Sequence, residues 1–259
     1  MPLSLIAAEC ARGSSLPLAC AVLAGLSAHN STARPLPVLR VGTELLEGAE
    51  AVFKVTGHGI FPVAQSPHAL DCPLLTALRS VLEGERLTLS ARRTGRALAW
   101  VTLSDKGFAG LREDESGPLI AVMVEEKLPL CHAQGFLLPD EEQMLRALLM
   151  ELAIMQGYDL IITTGGTGLA PRDCSPEAAL SVMERRLPGF EQAMMAASLQ
   201  KTPTAAISRA TAGTLGRSIL VCLPGSRKAV AENLAAILTA LGHALDKLQG
   251  DAGDCGGLL

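Results

Sequence analysis

The sequence predicts an α/β fold with a mostly parallel central sheet and helices on both faces, preceded by a small β-rich segment. From residue 97 onwards, short apolar runs alternate with segments of helical apolar spacing, which is typical of right-handed βαβ crossovers. Residues 159–164 form an apolar, β-branched run that stops at a glycine-rich turn, as a buried parallel strand does. Residues 38–56 instead alternate apolar and polar positions between glycines, which favours antiparallel strands.

Composition indicates a globular protein and argues against several classes of binding partner. The 259 residues are 49% hydrophobic and 19% charged, so the chain can bury a core. A net charge of −4 without a basic cluster argues against nucleic acid and against an anionic membrane surface as partners. Aromatic residues are only 3% of the chain, which argues against a base-stacking platform. Any phosphate site must therefore be local.

The cysteine pattern predicts reduced thiols and a cytoplasmic location. The seven cysteines are scattered and form no CxxC or Cys/His ligand spacing. We expect several of them to pack as small hydrophobic residues, with Cys174 a filler beside Asp173. The full set is Cys10, Cys20, Cys72, Cys131, Cys174, Cys222 and Cys255.

Residues 1–37 are rich in Ala, Leu, Ser and Pro, and their apolar run at 16–26 is too short to span a bilayer. We expect a short helix there, packed on the neighbouring domain. A secretory signal is the less favoured alternative, because the preceding segment carries Glu9 beside its single Arg12.

Residues 38–95 form the small β-rich segment, with strands expected at 39–46 and 51–56, a helix from 74 to about 83, a further strand, and a basic linker at Arg92, Arg93 and Arg96. The segment resembles the last strands of a MOSC domain, a β-rich sulfur-carrier module. The cysteine expected soon after the second strand is missing, so we interpret it as a non-catalytic remnant. His58 and His68 have no third ligand nearby, which argues against a metal there.

Residues 96–250 form the second domain. Strands are expected at 97–104, 135–138 and 159–164, and a last strand in RSILVCLPG. Helices are expected from the cap at Ser116-Gly117-Pro118 and over 141–156, 176–186, 190–200 and 228–248. The tail 251–259 is expected to be disordered.

A glycine-rich loop follows the strand at 159–164. Gly165, Gly166 and Gly168 surround Thr167, and three glycines in four residues permit positive φ and a close approach of backbone N–H groups to an anion. The GxxxxGK[ST] motif is absent, and GxGxxG fails at Pro171. A simple tight turn is the alternative interpretation.

Two aspartates accompany the loop. Asp173 precedes Ser175-Pro176, where Ser is a good N-cap and Pro a good first helical residue. Asp140 with Gln143 fits a capping box for the helix at 141–156, but it also follows a strand at the carboxyl edge, where open α/β sheets bind ligands. From the residues alone, both interpretations of Asp140 stay open.

Four separated motifs resemble, in order, those of the molybdopterin adenylyltransferase family. They are the Ser104-Asp105 strand end with its glycine loop and Asp-x-Ser-Gly-Pro helix start, Pro139-Asp140-Glu141, TTGGTGxxPRDxxPEA, and the Ser-Arg and Leu-Pro-Gly pair. The resemblance covers residues 97–250. It implies adenylyl transfer from ATP to molybdopterin, catalytic roles for Asp140 and Asp173, and Mg²⁺ held by both, directly or through water.

The resemblance also implies a set of substrate- and nucleotide-binding residues. They are Ser104, Asp105, Gly165, Gly166, Thr167, Gly168, Ser208, Arg209, Pro224, Gly225 and Ser226. Many relatives carry Asn at position 222 and Asn or Gln at position 226, whereas this chain carries Cys222 and Ser226.

The partners implied by the resemblance are the pterin and nucleotide, a homotrimer or larger assembly, and a downstream metal-insertion protein. Two rival functions remain. One is a non-catalytic molybdopterin carrier or a scaffold of the gephyrin kind. The other is a nucleotide-cleaving enzyme of the same fold.

Overall fold

The computed structural model describes residues 3–6, 9–18, 39–62 and 69–250. The chain divides into two compact units, residues 1–95 and residues 96–259. Most of the apolar run at 16–26, Cys20, His68, and the tail 251–259 with Cys255 lie outside the described residues.

The first unit is one six-stranded antiparallel sheet in the order β1-β6-β3-β4-β5-β2. Alternate side chains such as Leu87 and Leu89 are buried on one face, as period-two strands require. Its strands are β1 (Leu3–Ile6), β2 (Ser15–Pro17), β3 (Glu44–Glu47), β4 (Glu50–Pro62), β5 (Ala69–Ala77) and β6 (Arg86–Arg92).

One helix prediction in this unit is wrong. The region from 74 to 83 continues β5 and then turns, because Leu75 pairs with Val55 of β4 and is fully buried in the sheet. Long-range strand pairing overrides local apolar spacing there. The helix predicted for the apolar run at 16–26 lies almost wholly outside the described residues, and the described parts of residues 1–37 include strands β1 and β2, which pair with β6 and β5. The strand predicted at 39–46 begins only at Glu44.

The second unit is built around a six-stranded sheet in the order β10-β11-β12-β9-β7-β8. The four strands β12, β9, β7 and β8 are parallel, and β10 and β11 are antiparallel additions at one edge. The strands are β7 (Arg96–Leu103), β8 (Leu130–Leu138), β9 (Leu160–Thr164), β10 (Arg185–Arg186), β11 (Thr211–Leu215) and β12 (Ser218–Leu223).

The helices of this unit lie between and after the strands. They are α1 (Asp105–Phe108), α2 (Ser116–Glu125), α3 (Glu142–Met150), α4 (Ser175–Val182), α5 (Pro188–Leu199) and α6 (Arg227–Leu248). A π-helical segment, Glu151–Gln156, continues α3, and a 3₁₀ turn, Pro203–Ile207, precedes β11. The helix predicted at 176–186 ends at Val182, because β10 then pairs with β11. Among the described residues, no helix is long and apolar enough to cross a bilayer.

Helices cover both faces of the second sheet. Leu160 and Ile162 of β9 pack in one core with Ile120, Met194 and Leu234 of α2, α5 and α6. Ile161, between them in the strand, points to the other face and is equally buried. The predicted fold class, a mostly parallel sheet with helices on both faces and a β-rich segment before it, is confirmed.

Candidate functional site

The candidate site lies at the carboxyl ends of the parallel strands. The loops that leave β7, β8, β9 and β12 meet at this edge of the sheet, and they carry most of the residues that the sequence singled out. Ligands of open α/β sheets bind at this edge, since the strand ends leave a crevice between diverging loops.

The glycine-rich loop turns sharply at its first two residues. Gly165 and Gly166 adopt φ of 98° and 63°, which L side chains rarely adopt. A Cβ at Gly166 would lie 2.6 Å from the Ser175 Oγ, which donates a hydrogen bond to the carbonyl oxygen of Gly165 at 2.7 Å. The Ser175 N–H donates to the Gly166 carbonyl at 3.0 Å. The turn therefore requires glycine and is fastened to the start of α4.

The loop presents backbone donors. Within the described part of the chain, the N–H groups of Gly166, Thr167 and Gly168 have no protein acceptor. Successive unpaired N–H groups can bind an anion where the backbone turns them to one side. The free donors are compatible with the predicted phosphate cradle, which stays a prediction beside the alternative of a simple tight turn.

Arg209 fixes the far side of the loop. Its Nε donates to the Gly168 carbonyl and its Nη2 to the Asp173 carbonyl, both at 2.8 Å, and Nη1 pairs with Glu177. These contacts do not use every N–H of the guanidinium, and the predicted contact of Arg209 with substrate stays a prediction. The neighbouring Ser208 has a buried Oγ that finds no partner among the described residues, so it keeps a polar group to offer.

A cavity of about 270 Å³ adjoins the loop. Ser104, Gly165, Gly225 and Ser226, all predicted from the sequence, line it. The cations at its rim were not predicted: they belong to Arg112 and Arg227. The remaining lining residues are Thr102, Leu103, Gly107, Glu113, Asp114, Glu115, Ser116, Leu137 and Thr164.

Asp114 builds one wall of this cavity by holding the start of α2. Its Oδ1 accepts from the N–H groups of Ser116 and Gly117, at 3.1 and 2.9 Å. Its Oδ2 accepts from the Thr102 hydroxyl at 2.6 Å. A Cβ at Gly117 would lie 2.5 Å from a ring carbon of Trp100. The Asp-x-Ser-Gly pattern thus allows α2 to pack closely against β7.

The Leu-Pro-Gly turn after β12 is tied to the same wall. The Thr164 hydroxyl donates to the Pro224 carbonyl at 2.8 Å, and the Ser116 hydroxyl donates to the Gly225 carbonyl at 3.0 Å. A Cβ at Gly225 would lie 3.1 Å from the Cα of Gly165. Ser226 accepts from the Ala229 N–H at 3.2 Å and so caps α6, while its exposed side still faces the cavity.

Asp140 does not cap its helix, so the capping-box prediction is wrong. The N-cap position of α3 belongs to Glu141, without a side-chain bond. Asp140 Oδ2 instead accepts from the Asp105 N–H, and Asp105 Oδ1 accepts from the Asp140 N–H, both at 3.1 Å. We call this reciprocal pair the Asp105–Asp140 clasp. It joins the loop after β7 to the loop after β8, a long-range contact that local capping rules do not anticipate.

Negative charge accumulates around Asp140. Partial burial raises the pKa of its carboxyl, and the charges of Asp105 and Asp173 raise it further, against the lowering effects of the Asp105 N–H and Arg172. The charge of Asp173, the other predicted catalytic acid, is the smallest of these influences on Asp140. Both lie beyond the residues that line the cavity.

Asp173 lies beside the glycine-rich loop. Its Oδ2 accepts from the Ala170 N–H at 2.8 Å, and a Cβ at Gly168 would lie 2.7 Å from the same oxygen. The prediction that Ser175 is the N-cap of α4 is wrong, because Cys174 holds that position and Ser175 is the first helical residue. The Ser175 hydroxyl bonds to the loop rather than to its own helix.

Sequence reasoning missed Arg172. Its Nε and Nη2 donate to the two carboxylate oxygens of Asp105 at 2.8 and 2.9 Å, and Nη2 also donates to Glu141 Oε1 at 3.1 Å. This pairing with Arg172 holds the pKa of the Asp105 carboxyl below its usual range. In the sequence, the only signal for a role of Arg172 was its place in the Pro-Arg-Asp motif.

The cysteines near the site are thiols. Burial raises the pKa of Cys174, and the nearby acids Asp140 and Glu142 raise it further, so this thiol is not activated. Burial raises the pKa of Cys222 to about 12, and its Sγ lies 3.8 Å from the Ser175 carbonyl oxygen. Cys222 therefore acts as a small hydrophobic residue under the glycine-rich loop.

A preformed metal cage is not present in the described ranges, where no three His, Cys, Asp or Glu side chains are grouped to hold an ion. Mg²⁺ commonly binds through one or two carboxylates and completes its coordination with water and substrate phosphates. The pair Asp140 and Asp173 fits this mode, in which the substrate completes the site.

The fold and the site define an α/β domain with a cavity at the carboxyl edge of its sheet, next to a glycine-rich loop. Residues 99–243 match the model of the family described as probable molybdopterin binding domain, and the chain belongs to this family.

Individual relatives agree with this assignment. The molybdopterin adenylyltransferase of Haemophilus influenzae is 38% identical over 149 residues, which are 57% of this chain and 75% of that protein. Gephyrin of Dictyostelium discoideum is 36% identical over 154 residues, 56% of this chain, which spans only 21% of gephyrin. The crystal structure of the molybdopterin biosynthesis enzyme MoaB from Thermus thermophilus is 41% identical, with a TM-score of 0.55 over 60% of this chain and 97% of that one.

Proposed function

We propose that the protein acts in molybdenum cofactor biosynthesis as a molybdopterin adenylyltransferase. The reaction joins the terminal phosphate of molybdopterin to the α-phosphate of ATP and releases pyrophosphate. The observation that carries the proposal is the position of the glycine-rich loop, with its three unpaired N–H groups, beside both the Asp140 and Asp173 acids and the cavity. The named relatives, molybdopterin adenylyltransferases among them, support the same activity.

Both substrates are anions, so the protein must hold like charges in line. The N–H groups of Gly166, Thr167 and Gly168 would bind phosphate oxygens through fixed dipoles, which need no reorganisation during the reaction. Arg112 and Arg227 would offer positive charge to the anionic substrates in a lining that also carries Glu113, Asp114 and Glu115. Positioning of this kind accounts for much of the rate of phosphoryl-type transfers.

The two acids would repel phosphate unless a cation lies between them. Asp140 and Asp173 would hold Mg²⁺, directly or through water, and the ion when bound would neutralise phosphate charge. Asp140 is held in place by the Asp105 N–H, and Asp173 by the Ala170 N–H. Each carboxylate therefore keeps one oxygen anchored and the other available.

The test is conversion of molybdopterin and Mg-ATP to adenylylated molybdopterin and pyrophosphate. Asp140→Asn and Asp173→Asn should each lower the rate about 10²- to 10³-fold, because each removes charge that acts on the transferring phosphate. Glu184→Gln, which removes one exposed carboxylate between α4 and β10, serves as the matched control and should leave the rate unchanged. Full activity of either aspartate variant would refute the assigned roles.

A non-catalytic molybdopterin carrier is the second candidate. It is favoured by the match to a family whose description, probable molybdopterin binding domain, names binding and no reaction. Wild-type protein that binds molybdopterin but releases no pyrophosphate would establish this candidate and reject adenylyl transfer. Pyrophosphate or phosphate release from ATP alone, without a pterin, would instead indicate a nucleotide-cleaving enzyme.

We further propose a homotrimer or larger assembly, a cytoplasmic location, and hand-over of the product to a metal-insertion protein. The assembly is supported by an exposed apolar strip on α3 and the segment after it, where Met144, Met150, Ile154 and Met155 are 44–55% exposed. The location is supported by the free cysteines of the described residues. Analytical ultracentrifugation of the purified protein tests the assembly, and a single monomeric species would reject it.

A further inference from the structure

We propose that Arg172 is a positioning residue: its ion pairs with Asp105 and Glu141 keep the Asp105–Asp140 clasp closed and so orient the Asp140 carboxylate towards Asp173. The inference deepens the proposed adenylyl transfer, since it concerns the same site. One arm of its test does not depend on that activity.

The first argument is geometric. Arg172 forms a two-pronged contact with Asp105, through Nε at 2.8 Å and Nη2 at 2.9 Å, and it fixes the direction of that carboxylate. Asp105 Oδ1 also accepts from the Asp140 N–H at 3.1 Å. Arg172 thus acts on Asp140 through one intermediate residue and does not bond to its carboxylate.

The second argument concerns the three loops involved. Arg172 lies in the loop after β9, Asp105 follows β7, and Glu141 follows β8. Arg172 Nη2 lies 3.1 Å from Glu141 Oε1. This contact joins the loop after β8 to the loops after β7 and β9, which the pair of Arg172 and Asp105 already connects. Since Asp140 and Asp173 sit on two of these loops, the separation of the two acids depends on how the loops are held together.

The third argument is electrostatic. Asp105, Asp140 and Glu141 are all acidic, and the bonds of the clasp hold the Asp105 and Asp140 side chains against the same pair of loops. Arg172 supplies the opposite charge, which lets the acids remain close before any substrate arrives. Without it, repulsion would drive the loops apart and open the clasp.

The fourth argument separates positioning from stability. Arg172 and Asp105 are 55% and 46% exposed, and ion pairs at such exposure contribute little to folding. Arg172 is also distinct from Arg209, whose donors reach the glycine-rich loop directly. A defect of an Arg172 variant should therefore appear in the geometry of the acids and not in global unfolding.

The test compares wild type with Arg172→Gln and with Arg186→Gln as the matched control. Arg186 makes the same two-pronged contact with a carboxylate, that of Glu191, and is similarly exposed at 59%. Arg172→Gln should lower kcat about 10- to 100-fold, because small misplacement of reacting groups has effects of that size. Molybdopterin affinity and the KM for ATP should stay within about twofold. The control should match wild type.

The second arm is amide hydrogen exchange in the folded protein without substrate. The Asp105 and Asp140 N–H groups form the clasp, so Arg172→Gln should speed exchange at both about 10-fold, while Arg186→Gln should not. Asp105→Ala removes the acceptor of the Asp140 N–H and should speed exchange at Asp140, and adding Arg172→Gln to it should have little further effect, since both act on one contact.

Arg172→Lys adds a control for charge. Lysine keeps the charge but lacks the planar fork that joins two carboxylates, so kcat should remain low. Recovery to the wild-type rate would overturn the positioning role in favour of charge alone. A KM or affinity change as large as the kcat change would mean that Arg172 binds substrate directly, which also overturns it.

The two arms separate this inference from the proposed function. Unchanged exchange at Asp105 and Asp140 in Arg172→Gln would reject the inference whatever the enzyme does. Faster exchange in a protein that makes no product would support the clasp and reject adenylyl transfer.

Discussion

Replacing Gly166 with alanine should damage the glycine-rich loop through two separable effects. The backbone at φ 63° costs an L residue about 1–2 kcal/mol. The new Cβ would also lie 2.6 Å from the Ser175 Oγ, and moving that hydroxyl breaks its 2.7 Å bond to the Gly165 carbonyl, a further loss of about 1–2 kcal/mol. The expected total is about 2–4 kcal/mol of unfolding free energy.

Gly216→Ala is the matched control. Gly216 has a similar φ of 56°, but its Cβ would meet only the end of the flexible Ile154 side chain, at 3.1 Å. Gly216→Ala should therefore lower the free energy of unfolding only by the cost of the backbone angle, about 1–2 kcal/mol. Gly216 lies in the turn between β11 and β12, away from the glycine-rich loop, so molybdopterin binding should survive in the control and weaken in Gly166→Ala.

Urea unfolding followed by tryptophan fluorescence measures both losses. Trp100 is the only tryptophan of the chain and lies in β7, so its signal reports the second unit. At constant slope, the midpoint shift gives the change in stability. Equal losses in Gly166→Ala and Gly216→Ala would refute the part of the reasoning that assigns a packing role to Ser175. A Gly166 variant as stable as wild type would refute all of it.

Two further predictions concern groups that support the fold of the second unit. Burial would raise the pKa of the Glu191 carboxyl, but hydrogen bonds from Thr211, Arg186 and the Ala212 N–H hold that pKa below its usual range. Glu191 therefore stabilises the fold above about pH 4.3, and this stabilisation is lost as the pH falls through its folded pKa. In urea unfolding, Glu191→Gln should lower the free energy of unfolding by about 1–2 kcal/mol at pH 7 and by less at a pH of about 3.5. A difference between variant and wild type that does not change with pH would contradict this. Gly117→Ala should lose about 1–3 kcal/mol by overpacking against Trp100, and wild-type stability would contradict that.

Local sequence patterns predicted where several strands of the second unit lie. Apolar runs and turn residues located β7, β9 and β12, because burial on both faces of a parallel strand leaves a continuous apolar run in the sequence. Glycine spacing located the loop at 165–168, since only glycine adopts its backbone angles freely. The family motifs then located Asp140 and Asp173 at one edge of the sheet.

Patterns failed where a long-range pairing decided the conformation. The segment at 74–83 has helical apolar spacing, yet its first half completes β5 against β4, because the sheet buries Leu75. Asp140 and Ser175 have the residue types of helix caps, yet Asp140 bonds to Asp105 and Ser175 to Gly165. A cap preference is worth about 1 kcal/mol, which a tertiary partner readily exceeds.

What the sequence by itself determined about this protein is its α/β class, its glycine-rich loop and the edge of the sheet where its candidate site lies. Only the tertiary structure decided which polar groups meet there. Arg172 and Asp105 are 67 positions apart, and Arg209 and Gly168 are 41 apart, so no local pattern links them. The physical reason is that helix and strand periodicity depends on neighbouring residues, whereas hydrogen-bond partners in converging loops depend on how the whole sheet places its strand ends.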